Sequence, residues 1–186
     1  LPTRKRQQIE ELRKSVVNEG DSEQVHRDAT WEAKSKALRW IFEQPRSSHR
    51  EAEFKAFCKN GGSSLDGHAL WSALTESVGS TELPEEYKSA TSPGSVQFAK
   101  DHPEEIAFHK WLQWIAAQQL SLPNRIGQEL GMGIGIMADL AVGTHPLGSD
   151  YWSMPDIFAS GMYVGAPPDM YSQLGQNWTQ PPWIPS

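Results

Sequence analysis

At 186 residues the chain has the length of one ordinary domain and falls short of the roughly 250 residues of a complete barrel enzyme. Its hydrophobic share of 38% and formal net charge of -6, with no apolar run near the roughly 20 residues that span a bilayer, read as a soluble globular protein. All seventeen Lys and Arg lie at or before Arg125, and from Ile126 to Ser186 the only charges are Glu129, Asp139, Asp150, Asp156 and Asp169. That half offers nothing to nucleic acid or to phosphorylated substrates, which leaves a neutral polar ligand open.

The start, Leu1-Pro-Thr-Arg-Lys-Arg, is basic, has no apolar stretch behind it and lacks methionine. A chain cut from something larger is expected to look this way, although processing or trimming would do the same. The single cysteine, Cys58, gives no disulfide framework and no multi-cysteine metal site, which suits a reducing compartment, so the cytoplasm is the expected location.

From Arg4 to about Asn18, Ile9, Leu12, Val16 and Val17 recur at helical spacing, and the Asn-Glu-Gly-Asp turn is expected to stop that helix. A second helix is predicted from about Asp28 to Gln44, with Ala33, Ala37, Leu38 and Ile41 inward and Pro45 ending it. Arg50 to Lys59 forms a third, capped at Gly61-Gly62. Ser63 and Asp66 fit a capping box for a fourth, which carries Leu65, Ala69, Leu70 and Leu74. Gly79 to Gly94, rich in turn formers, reads as an exposed connection that can hold a short helical turn and as the internal boundary, giving units 1–94 and 95–186.

Asp101-His-Pro-Glu-Glu then places a cap, a first-turn proline and two acids at the positive end of a helix. The helix runs to about Leu120 with a broad apolar face of Ile106, Phe108, Trp111, Leu112, Trp114 and Ile115, and a shorter one is expected from Pro123 to Leu130. The uncharged run Gly131 to Val142, broken only by Asp139, suits a strand buried on both faces, as parallel strands are. Gly143 to Ser186 has little periodicity and reads as a long functional loop region.

Two features bear on chemistry. Asp139 closes the predicted strand, and in parallel α/β architectures the carboxyl ends of strands face the ligand; a structural aspartate capping a turn is the equal alternative. The last 36 residues hold Trp152, Trp178 and Trp183 of the eight tryptophans and Tyr151, Tyr163 and Tyr171 of the four tyrosines. Flat rings stack on the C–H faces of sugars, while groups such as Gln176, Asn177 and Asp169 bond the hydroxyl edges. The same rings can instead pin a long loop to the body. The six histidines lack metal-ligand spacing, and Gly131-Met-Gly-Ile-Gly lacks the lysine and the strand-helix context of a phosphate loop, so no metal or cofactor is expected. Close helix-to-strand packing is the expected use of those glycines.

Gly135-Ile-Met-Ala-Asp139-Leu-Ala-Val-Gly143 followed by Gly148-Ser-Asp-Tyr-Trp152, then Val164-Gly-Ala-Pro-Pro-Asp169, then Gly175-Gln-Asn-Trp178-Thr-Gln-Pro-Pro-Trp183, resembles, in order, three motifs of the 4-α-glucanotransferases of the amylomaltase type. Phe108-His-Lys-Trp-Leu-Gln-Trp114 is similar to a helix of that family, and Arg27-Asp-Ala-Thr-Trp31-Glu-Ala-Lys34 to one in its helical insertion. Residue 179 is Thr where many relatives carry Gly or Ser.

The resemblance implies a mainly α fold with a small β portion, namely a helical insertion subdomain beside an incomplete segment of a TIM-type barrel. It implies transfer of α-1,4-glucan segments between maltooligosaccharides or glycogen-derived glucans with retention, which needs two carboxyl groups about 5 Å apart. The family's Arg-hydrophobic-Asp-His nucleophile pattern is absent from these 186 residues, so no catalytic residue is assigned here and the chain by itself is expected to be inactive. Asp139, Trp152, Asp169, Tyr171, Gln176 and Trp178 carry over as substrate-binding candidates. The alternative is a non-catalytic carbohydrate-binding or scaffold module.

Overall fold

The computed structural model describes residues 2–18 and 26–185, and the chain forms two compact units, Leu1–Glu53 and Phe54–Ser186. In the first, α1 (Thr3–Asn18) and α2 (Arg27–Phe42) present apolar faces to a common groove: Ile9, Leu12 and Val16 from one, Thr30, Ala33 and Ala37 from the other. These are the faces that the helical period predicts. Lys5 Nζ lies 4.3 Å from the centre of the Trp40 ring and adds a cation–π contact. The Val17 side chain and the Glu19-Gly20-Asp21 turn, expected to finish the first helix, lie outside the described residues.

The element α3 (Ser48–Val78) is broken at Gly62, whose φ of 50° and ψ of -144° lie outside helical space. The two helices predicted on either side of Gly61-Gly62 are therefore the two arms of α3, and a glycine stands where the chain turns through positive φ. A 3₁₀ turn at Glu85–Tyr87 leads to α4 (Pro93–Asp101) and α5 (Pro103–Glu129). Leu70, Ala73 and Leu74 of α3, Phe98 of α4 and Trp152 make one buried cluster, against which Leu83, Tyr87 and Ala90 also pack. This places side chains of the 79–94 segment against the core, and the compact units divide at residue 53. A second buried group comes from α5, with Phe108, Trp111 and Trp114 inward; Phe54 meets Trp114 at 5.4 Å between ring centres.

Two expectations are corrected in the C-terminal half of α5 and beyond. The helix does not stop near Leu120 and restart at Pro123; it runs through the proline as one element. Pro123 removes one N–H, and the carbonyl it frees belongs to a stretch whose residues are solvent-exposed from 119 to 126, where water can satisfy it. The strand expected from Gly131 to Val142 is absent, and that run is irregular and exposed, with Ile134 fully accessible. A strand exists only through hydrogen bonds to a neighbour, and none of the described backbone pairs with it. Its first glycine ends α5 instead of packing a helix on a sheet. Gly131 has φ 82°, Met132 N–H donates to Gly127 O at 2.9 Å and Gly131 N–H to Gln128 O at 3.0 Å, the double bond of a Schellman cap.

A five-residue helix α6 (Ser149–Ser153) precedes a hairpin in which β1 (Gly165–Ala166) pairs antiparallel with β2 (Gln176–Asn177). The fold is thus mostly helical with one small sheet, as expected for the class. No helix among the described residues is long and apolar enough to cross a membrane. Leu74, fully buried in the central cluster, sets the scale of the packing: Leu74→Ala should lower stability by about 2–5 kcal/mol, read as a reduced urea midpoint at unchanged slope.

Candidate functional site

Beyond residue 156 the chain folds back on itself. At the base, Phe158 and Trp183 form an antiparallel bridge with rings 4.4 Å apart, flanked by Ala159 N–H to Pro182 O and Ile184 N–H to Ile157 O, both 2.9 Å. Further out, Val164 N–H donates to Gln180 O and Trp178 N–H to Val164 O, and the β1–β2 pair follows. Gly165 is required there because a Cβ would drive into the Gln176 carbonyl. The product is a two-armed hairpin whose base is held by aromatic packing and whose tip, residues 167–175, stands in solvent.

The tip is organised by Asp169. Its Oδ1 accepts from Tyr171 N–H at 2.8 Å and Ser172 N–H at 2.6 Å, an Asx-type turn, and Ser172 Oγ closes the loop onto Gly175 O. This oxygen of Asp169 thus serves the turn. Tyr171 beside it is 90% exposed, so its ring is open to a ligand. On the returning arm Gln176 Oε1 accepts the indole N–H of Trp178 at 2.8 Å. That bond fixes the indole against its neighbour while leaving it 41% exposed. Tyr171, Gln176 and Trp178, with Asp169 as the fold of the tip, therefore belong to one surface element.

The other two candidates stand elsewhere. Asp139 lies in the irregular exposed run and closes no strand among the described residues. Trp152 is only 8% exposed and sits in the helical core, its Nε1–H donated to Tyr87 O at 2.7 Å. That burial and that bond anchor α6 to the helices.

A polar cluster that sequence reasoning missed ties α6 to the helices. With the Gln113 amide donating to His68 Nε2 at 3.0 Å, the ring proton sits on Nδ1 and is donated to Ser149 Oγ at 2.9 Å. Ser149 O in turn accepts from Ser153 Oγ. The three partners are separated by 45 and 81 residues, and no local pattern joins them. Burial pushes the His68 imidazole below its usual value near 6.5, and the Asp150 carboxylate partly opposes this. The folded state then binds this proton less readily than the unfolded chain. The stability it contributes is full above about pH 6.5 and is lost as the pH falls through the folded value. Unfolding midpoints measured between pH 7.5 and pH 5 should fall more steeply for the wild type than for His68→Gln.

Thr179 is held at φ 60°, a region costly for a β-branched residue, and its N–H is tied to Asn177 Oδ1 at 2.8 Å. Thr179→Gly should raise stability by about 1 kcal/mol, measured by chemical denaturation.

Residues 3–186 match the family profile described as 4-alpha-glucanotransferase. A 4-alpha-glucanotransferase of Mycobacterium tuberculosis is 41% identical over 184 residues, 97% of this chain and 25% of its own length. One from Haemophilus influenzae is 35% identical over 122 residues, 66% of this chain and 18% of its own length. The crystal structure of amylomaltase from Corynebacterium glutamicum superposes with a TM-score of 0.74 at 39% identity, over 93% of this chain and 24% of that one. The chain spans about a quarter of the length of the fullest of these matches.

Proposed function

The chain belongs to the 4-alpha-glucanotransferase family, and from that premise we propose that it supplies a glucan-contacting hairpin to an enzyme that transfers α-1,4-glucan segments. The donors and acceptors are maltooligosaccharides or glycogen-derived glucans, and the reaction proceeds in the cytoplasm with retention at the anomeric carbon. The observation that carries this reading is the hairpin itself, which brings Tyr171, Gln176 and Trp178 onto one solvent-facing element.

The physical roles follow from the groups. The exposed side of the Trp178 indole stacks on the apolar C–H face of a glucose unit, and the bond from its N–H to Gln176 Oε1 keeps the ring from turning away when the sugar leaves. The Gln176 amide N–H₂ is then free to meet a hydroxyl edge, and the Tyr171 phenol, on a turn made rigid by Asp169, provides a second contact. Such a surface holds and orients a chain and breaks no bond. The nucleophilic carboxylate and the acid/base carboxyl, about 5 Å apart in a retaining mechanism, come from outside these 186 residues. In the same reading the exposed apolar run Ile134, Ile136, Met137, Leu140 and Val142 pairs as a barrel strand when the rest of the protein supplies its neighbours.

The test is made on the full-length protein. Incubation with maltotriose should yield glucose together with longer maltooligosaccharides, resolved by chromatography, and Trp178→Ala should weaken maltoheptaose binding about tenfold, or ~1.4 kcal/mol. Glucan binding without any transfer by the full-length protein would favour a carbohydrate-binding module; unchanged affinity in Trp178→Ala would remove the hairpin from the site.

A further inference from the structure

The hairpin arms are held to one another by backbone bonds, but what aims the hairpin is its base. There, Phe158 packs on Tyr151 with ring centres 5.4 Å apart and on Trp183 at 4.4 Å. Tyr151 is a residue of α6, so the direction of the hairpin follows the orientation of that short helix. A helix of five residues has too few internal hydrogen bonds to hold itself and takes its orientation from what it touches. Trp152 supplies the burial. Gly67 of α3 lies so close to Ser153 that a Cβ would come within 2.7 Å of the Ser153 Cβ, which sets the distance between the two helices. The indole is itself tied by its N–H to Tyr87 O at 2.7 Å. The hydrogen bond from His68 to Ser149, at the opposite end of α6 from Ser153, adds a third attachment at the start of the helix, and Gln113 of α5 holds the imidazole in the tautomer that can make it.

We propose that His68 is a positioning residue for glucan binding, acting through Ser149 on α6 and through the Tyr151–Phe158–Trp183 stack on the hairpin that presents Trp178. The proposal rests on the reading of that hairpin as the glucan surface. It differs from a stabilising role in a measurable way. Removing a bond that only adds stability lowers the unfolding midpoint and leaves the affinity of the folded protein unchanged, whereas removing a bond that aims the hairpin changes affinity only while the hairpin still has a stacking residue to aim.

The experiment is a double-mutant cycle in the full-length protein with maltoheptaose as probe, affinity being read by titration calorimetry and folding by the thermal midpoint. His68→Ala is expected to raise the dissociation constant three- to tenfold, and Ser149→Ala, which removes the acceptor and leaves the imidazole in place, by a similar factor. In a Trp178→Ala background the His68→Ala effect should shrink to within twofold. His68→Asn, whose amide can donate near the position of Nδ1, should recover most of the loss. Independent, multiplying effects of His68→Ala and Trp178→Ala, or an Asn variant no better than Ala, would overturn the proposal. If His68→Ala does not fold, the Ser149→Ala and Trp178→Ala cycle decides the same question. A wild type that binds no maltoheptaose, or a Trp178→Ala variant that binds as tightly as wild type, refutes the glucan surface and this proposal with it. An additive cycle on top of a clear Trp178 effect refutes this proposal alone.

Discussion

The buried indole of Trp152 is the contact on which the second unit depends. Its ring completes the cluster formed by Leu70, Ala73, Leu74 and Phe98, and its N–H is satisfied by the Tyr87 carbonyl at 2.7 Å. A buried N–H without a partner would cost about 1–3 kcal/mol, so this bond holds the Glu85–Tyr87 turn and α6 in one arrangement. Of the large side chains in this region, Trp152 enters the central helical cluster, and Phe158 packs with Tyr151 and Trp183 at the hairpin base.

That arrangement separates two tasks that composition leaves mixed. Aromatic residues of the last 36 positions are candidates for either stacking on sugars or pinning the chain, and the structure buries some of them while leaving others exposed. Trp152 is buried in the core, Phe158 and Trp183 lock the hairpin base, and Tyr171 and Trp178 are left on the outer part with accessible rings. One ring cannot fill a core and also receive a ligand. The division also explains why the base is apolar and tightly packed while the tip is built from polar turn chemistry. The base must resist torque from the rest of the chain, and the tip must keep its shape while facing water.

The helical half was legible because helices are local. Periodic apolar positions mark α1, α2 and α5, and the Gly61-Gly62 pair marks the break in α3, since all the interactions concerned lie within a few residues. The run after Gly131 was misread because a strand depends on partners that sequence cannot supply, and the same apolar alternation serves an exposed segment when none pairs with it. Passage of α5 through Pro123 was hidden because the rule against proline assumes a buried, unhydrated carbonyl, and this stretch is open to solvent. In the last 44 residues, Gly143 to Ser186, the sequence reads as a loop region, and the hairpin is not foreseen because its pairing joins positions ten or more residues apart. Asp169 could have been recognised as a turn former from the Asp-Met-Tyr-Ser spacing alone. His68, Gln113 and Ser149 could not, because their association exists only once three helices are packed.

Strain and exposure coincide at the outer part of this hairpin. Thr179 occupies a positive φ, Gly165 permits a backbone approach that a side chain would block, and Met170, Tyr171 and Leu174 stand almost wholly in solvent. Each feature is unfavourable to stability when taken alone. The exposed apolar groups at this tip, like those of the run from Ile134 to Val142, are held without burial of their own. The energy that maintains the tip comes from elsewhere: the Phe158–Trp183 base, the indole of Trp152 and the helices beneath. The shape of the tip is therefore a property of the whole second unit, because its residues have almost no packing of their own to hold them in place.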